Sequence, residues 1–426
     1  MQREIIQVEE KVPILKSIPL SLQHMFAMFG ASVIVPLTFH INPAIVLLMN
    51  GIGTLIFILI TKGKAPAYLG SSFAFISPVL LIIGSKSMNY QYALGGFIVS
   101  GAIFCIVAFF IRFFGIKWID VLLPPAAMGA VVALIGLELA GTAAQSGGIV
   151  ISDPYKSINP KFVAVFLVTL LVAVFGSVLF RKFFAVIPLL IAIIAGYALS
   201  CVLGLVDFAP VEQATWFALP NFSSPVFDLN AITIIIPASL VVISEHIGHQ
   251  IVTSKIVGRD LVKNPGLHRT LLADGVSTML SGFCGSVPTT TYGENIGVMA
   301  ITRVYSVQVI GGAAIISIIV AFVGKMTALI QTIPGPVIGG VSFLLYGMIA
   351  ASGIRLLVES KVDYSRSRNL ALTSIVFITG LSGVCIPVGP TGAVQLKGMA
   401  LATIVGMILS LLFYVIDYFH LANDYE

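Results

Sequence analysis

The chain has 426 residues, 58% of them hydrophobic and only 10% charged, with a formal net charge of +5 and a mean hydropathy of +1.05. A soluble domain carries about 25% charged residues. This composition therefore excludes one, because lipid must be the solvent for most of so apolar a chain. In a soluble protein the excess of positive charge would suggest an anionic partner; here membrane topology accounts for it.

In chain order, Met1 to Lys16 form a polar tail of mixed charge with no signal-peptide cleavage pattern, so the first apolar stretch reads as a retained span. Apolar runs bounded by charge, Pro or Gly then give about fourteen segments, centred near residues 28, 52, 75, 102, 130, 171, 194, 242, 276, 297, 315, 344, 378 and 406. A helical span needs about 20 apolar residues. Most segments supply them, but the third is broken by Gly70-Ser71-Ser72 and Pro78, and the tenth by Pro288 to Gly293. The four cysteines, Cys105, Cys201, Cys284 and Cys385, form no C-x-x-C pair and read as packing residues, with no disulfide framework and no metal site.

With the N-terminus placed inside, 18 of the 23 Lys and Arg fall on the inner side, and only Lys86, Lys156, Lys161, Lys325 and Lys397 on the outer. That bias follows the positive-inside rule and predicts an even number of spans with both termini cytoplasmic. The sequence also resembles itself. Leu123-Pro124-Pro125-Ala126-Ala127-Met128-Gly129 returns as Ile333-Pro334-Gly335-Pro336-Val337-Ile338-Gly339, and the broken third segment corresponds to the broken tenth. Seven spans per half is odd, so the second half enters from the opposite side. The expected fold is an all-α polytopic membrane protein of two inverted seven-span repeats, with segments 3 and 10 discontinuous and carrying short extended stretches. Matched breaks of this kind point to a transporter's binding site.

Four acidic residues lie within spans: Glu138, Glu245, Asp274 and Glu294. A carboxylate at bilayer depth costs about 2.5–3.5 kcal/mol even on the lenient insertion scale, and is usually retained because it faces a polar cavity. Glu245 and His249, at i and i+4, share one helix face and suit a proton site. Glu294 follows the β-prone Thr289-Thr290-Thr291-Tyr292-Gly293, where extended backbone and a helix N-terminus offer N–H groups. Backbone donors and a carboxylate together fit a flat polar ligand, and Phe73 in the matching break offers it an aromatic face.

The pattern E-N-x-G-x-x-x-x-T-R from Glu294 to Arg303, including Asn295 and Thr302, resembles the signature of the nucleobase–ascorbate transporters. Leu20-Ser21-Leu22-Gln23-His24, Ala67-Tyr68-Leu69-Gly70-Ser71-Ser72-Phe73, and Glu245-His246-x-Gly248-His249 extend the resemblance, closest to the uracil-permease branch, from Ile18 to the last span. It implies a core domain in residues 1–115 and 231–325 (spans 1–4 and 8–11). A gate domain would take residues 116–230 and 326–426 (spans 5–7 and 12–14). It also implies proton-coupled uptake of uracil across the cytoplasmic (inner) membrane, with the proton as coupling ion and no other cofactor, no nucleic-acid partner, and a homodimer through the gate.

Carried over by position, Glu245 and Glu294 would accept from the base's N–H groups. Phe73 and Gly293 would give backbone N–H to its carbonyls, and Tyr292 would lie against the ring. His249 would sit beside the site and share the proton with the two glutamates, while His24 and Tyr346 would lie near the route into it. Purine-transporting relatives typically carry Gln at the position of Glu294, so Glu favours a pyrimidine. A purine transporter of the same architecture, or a channel, is the alternative. An intramembrane zinc protease needs H-E-x-x-H, whereas here the order is Glu245-His246-x-x-His249.

Overall fold

A computed structural model describes residues 5–85, 87–150, 158–181, 183–388 and 394–422. Arg3, Lys86, Lys156 and Lys182, four of the basic residues used to orient the chain, lie outside the described residues. The helices in chain order are α1 (Ile14–Thr38), α2 (Pro43–Ile60), α3 (Ile76–Ile83), α4 (Tyr90–Phe114), α5 (Lys117–Leu122), α6 (Pro125–Ser146), α7 (Pro160–Leu179), α8 (Pro188–Val202) and α9 (Ala209–Gln213). They continue as α10 (Leu229–Val257), α11 (Leu267–Cys284), α12 (Gly293–Thr302), α13 (Val307–Ala321), α14 (Gly324–Gln331), α15 (Gly335–Glu359), α16 (Ser367–Leu381) and α17 (Gly398–Tyr418). Strands β1 (Leu69–Ser71), β2 (Thr289–Thr291), β3 (Cys385–Val388) and β4 (Val394–Lys397) complete the elements, with 3-10 turns at Phe73–Phe75 and Phe184–Val186.

Eight of these helices are long and apolar enough to cross a membrane. Each of the fourteen centres read from the sequence falls inside a helix or, at residue 75, in the 3-10 turn that opens α3. Large side chains such as Phe113, Phe175, Ile194 and Leu412 are exposed around the outside. Water would not tolerate such a surface; lipid does.

Apolar collapse cannot drive helices together in lipid, so close packing through small residues takes over. The seam between α6 and α15 is built this way. A Cβ on Gly136 would collide with the carbonyl of Tyr346, and one on Gly353 with the backbone of Ala133. These contacts set the two helices antiparallel, with Gly129 near Leu357 and Gly339 near Gly147. Helix α15 also packs on α7, and α16 packs on α6 and α17. A second set of helices forms around α4 with α11 and α10, and around α2 with α11 and α13. The two sets touch where α10 meets α6 and α17, where α1 meets α8 and α15, and where α3 meets α6.

Candidate functional site

The two broken segments meet each other. Strand β1 pairs antiparallel with β2 in the register Leu69↔Thr291, Gly70↔Thr290 and Ser71↔Thr289. The ladder runs on through Ser72 N–H to the Pro288 carbonyl at 2.9 Å and Tyr292 N–H to the Tyr68 carbonyl at 3.0 Å. Extended backbone at membrane depth must satisfy its polar groups within the protein, and here each strand does so with the other. The sequence reading left those N–H groups unpaired and available; the pairing corrects it. The donors left over belong to the helix starts that follow the strands. Neither Ser72, before the 3-10 turn, nor Tyr292, before α12, makes a side-chain cap. The first-turn N–H groups of both helices therefore lack partners within their own helix.

Hydroxyls hold β2 in place. Thr289 donates to Ser277 at 2.7 Å, and the Thr278 hydroxyl both donates to the Thr289 carbonyl and accepts its N–H. Thr290 donates to Asp274 at 3.2 Å, and the Thr291 hydroxyl lies 3.2 Å from His249 Nδ1. Behind them, fully buried His246 and Asp274 pair at 2.8 Å, and the other ring nitrogen of His246 meets Thr270 at 2.9 Å. The sequence reading flagged Asp274 but not its partner. A buried acid one span away from a buried imidazole was the available signal.

Between the two helix sets lies a cavity of about 230 Å³. One wall carries Phe73, Glu245, His249, Tyr292, Gly293, Glu294 and Gly297. The facing wall is apolar apart from Ser352: Val132 of α6, residues 185–189 before and into α8, and Leu345, Met348 and Ile349 of α15. None of the apolar wall was singled out in the sequence, since such residues are indistinguishable there from lipid-facing ones. Pockets for drug-sized ligands run about 300–1,000 Å³, so this volume suits a smaller molecule.

The sequence-predicted residues divide. Glu245, Glu294, His249, Phe73, Tyr292 and Gly293 come together on one wall. Glu245 Oε2 is buried without a hydrogen-bond partner, which is costly unless a ligand or proton supplies one. The ring of Phe73 stacks on Tyr292 (centroids 6.4 Å apart, planes at 17°) and meets Tyr346 edge-on at 5.9 Å. Tyr292 donates to the Ser71 carbonyl at 3.1 Å. Its ring lies so close on β1 that a Cβ on Gly70 would collide with it. A Cβ on Gly293 would come within 3.3 Å of His249 Nε2, so the missing side chain leaves that nitrogen its place at the cavity edge.

His24 and Tyr346 do not line the cavity, and each is 1% exposed. His24 sits behind the wall, where Asn295 Nδ2 meets its Nδ1 at 3.1 Å and donates to its carbonyl at 3.3 Å, tying α12 to α1. Tyr346 buttresses Phe73. Thr302 and Arg303 close α12: the Thr302 hydroxyl donates to the Val298 carbonyl at 2.8 Å and accepts from Val304 N–H. Arg303 takes the left-handed conformation at φ 59° that ends the helix. These motif residues shape the helix that presents Glu294 and do not touch the cavity. Among the described residues, no three His, Cys, Asp or Glu cluster as metal ligands.

Residues 15–389 match the profile of the Permease family. A uracil permease of Paenibacillus larvae is 58% identical over the whole of both chains. The Escherichia coli K12 uracil permease is 59% identical over 98% of this chain and 96% of its own. A putative pyrimidine permease of E. coli, RutG, is 37% identical over 96% of this chain and 92% of its own. Among solved structures, the transmembrane domain of the cyanobacterial bicarbonate transporter BicA superposes with a TM-score of 0.62 at 14% identity, over 95% of this chain and 99% of that one. The murine anion transporter Slc26a9 superposes with a TM-score of 0.69 at 12% identity, over 96% of this chain and 69% of that one. At such identities the likeness concerns the fold alone. The chain belongs to the nucleobase–ascorbate transporter family of permeases, and is a multi-pass membrane transporter rather than an enzyme.

Proposed function

We propose that this chain carries uracil across the cytoplasmic membrane together with protons, by alternating access. One observation carries the reading most directly. Glu245, with an unpartnered buried oxygen, and Glu294 face one small cavity that also receives the uncapped helix start at Gly293. Uracil brings two ring N–H donors and two carbonyl acceptors. Carboxylates match the first and backbone N–H groups the second, while Phe73 and Tyr292 offer aromatic surface to a flat ring. A site of such fixed polarity rejects analogues that leave its buried groups unpaired. The uracil permeases 58–59% identical to this chain support the same substrate.

The architecture proposed with it is fourteen spans in two inverted repeats, with both termini cytoplasmic in the inner membrane. Spans 1–4 and 8–11 form a substrate-holding core, and spans 5–7 and 12–14 a gate. Support comes from the two helix sets and from the polar and apolar walls they contribute to one cavity. The lining runs on to Ile301 of α12 and Ser352 of α15, toward the ends that carry Arg303 and Arg355. That favours an inward-open arrangement. Glu245, Glu294 and His249 line the same cavity, and in this reading they hold the coupled proton as a set, so no one residue need own it. Pairing of two copies through the gate follows the family resemblance.

Radiolabelled uracil uptake into proteoliposomes of the full chain tests the reading. Saturable accumulation that speeds up with an inward proton gradient supports it. Uptake indifferent to the gradient and to uncouplers would remove proton coupling, and uptake that never saturates would favour a channel.

A further inference from the structure

Glu138, like Asp274, is a carboxylate within the spans that does not line the substrate cavity, and unlike Asp274 it sits where the two helix sets meet. It lies on α6, and three elements converge on it. Ser77 of α3 donates its hydroxyl to Oε1 at 2.7 Å. The backbone N–H of Met399, in the first turn of α17, donates to Oε2 at 2.6 Å. Gly398, at φ 61°, passes so close over the carboxylate that any Cβ there would strike it. Each carboxylate oxygen thus has its own donor, one from the helix set that holds Phe73 and one from the facing set.

Position gives the contact meaning. Ser77 stands four residues past Phe73 on the same broken segment, and Glu138 six residues past Val132 of the cavity wall, about 9 Å along the helix. The packing of α6 on α15 sets Gly136 beside Tyr346 and Gly129 beside Leu357. Glu138 therefore lies at the Leu345 end of the cavity, away from Ser352. The seam there is shut. The space lined by Ser77, Leu81, Glu138, Lys397 and Met399 is about 20 Å³, room for a single water.

We propose that Glu138 is a positioning residue that latches the far side of the transporter, joining Ser77 across the two helix sets and closing that side while the other is open. The latch rests on the alternating-access reading given above. For the far side to open, the Ser77–Glu138 bond must break while Glu138 keeps Met399. A carboxylate is required because its two oxygens serve two donors at once; an amide offers one acceptor and sets an N–H against the second donor. Loss of the bond shifts the population toward the far-open state by its differential contribution to the two states.

The test uses the full chain in nanodiscs, with native cysteines replaced by Ala and Leu81→Cys placed in the closed seam, labelled with a hydrophilic maleimide. Glu138→Gln and Ser77→Ala should each raise the labelling rate at least about fivefold, as a shift in the open population. Uracil affinity should stay within about twofold of the parent, while the maximal uptake rate in proteoliposomes changes. Labelling no faster in either variant, or a Glu138→Gln chain that loses uracil affinity, would overturn the latch. If Glu138→Gln does not fold, Ser77→Ala alone decides by the same readings. Absence of uracil binding in the parent would reject the substrate reading instead, with labelling still deciding the latch.

Discussion

Glu245→Gln separates the two things a buried carboxylate does. Its Oε2 has no hydrogen-bond partner in the protein, so the substitution breaks no internal bond at that atom. The ligand-free variant should therefore fold, with an unfolding midpoint close to the parent's. Binding should suffer. A hydrogen bond to a charged group contributes about 1.5–3 kcal/mol. At 1.4 kcal/mol per decade, uracil affinity should fall roughly 10- to 150-fold. The amide worsens the match further whenever its NH₂ faces a ring N–H. Calorimetry on the purified full chain measures the affinity, and thermal unfolding without ligand measures the fold. A dissociation constant within about threefold of the parent's, in a variant that unfolds normally, would refute a ring N–H at Glu245.

Asp274→Asn should destabilise the protein without touching the cavity, because a buried polar contact left mismatched costs about 1–3 kcal/mol; a fall in the unfolding midpoint is the check, and an unchanged midpoint contradicts the His246–Asp274 pairing. Gly70→Ala should drive Tyr292 off β1 at a cost of about 1–3 kcal/mol, read as weaker uracil affinity along with lower stability, and unchanged affinity would separate Tyr292 from the site. At the surface, the Arg259 guanidinium beside Glu9 holds that carboxyl below its usual pKa. A lowered pKa contributes stability above the unfolded value and loses it as pH falls through the folded one. Parent and Glu9→Gln should therefore differ slightly in midpoint at neutral pH and converge in acid, the difference shrinking in high salt as exposed pairs do.

Much of the site was legible because membrane solvation makes polar residues conspicuous. A chain that is 10% charged cannot bury Glu245 and Glu294 by accident, and Gly70, Pro78, Pro288 and Gly293 interrupt apolar runs that would otherwise be ordinary spans. The pairing of β1 with β2 was not legible: it joins residues about 220 positions apart, and periodicity reports only on neighbours along the chain. A separation of 271 positions likewise hid the tie from Asn295 to His24, which places a residue expected near the route into the site behind its wall. The antiparallel pairing of β3 with β4 escaped notice because Cys385–Val388 is too short and too apolar to stand apart from the end of a span. Glu138 was visible as an intramembrane acid, but its partners Ser77 and Met399 come from other elements, so its role emerged only from the packing.

The most direct test of the account is competition against labelled uracil uptake in proteoliposomes of the full chain, with uracil, thymine, xanthine, hypoxanthine and uric acid as competitors. Two carboxylates facing a cavity of about 230 Å³ predict that unlabelled uracil abolishes uptake while the three purines leave it nearly intact. Equal inhibition by xanthine or uric acid would contradict a site built around a single pyrimidine ring.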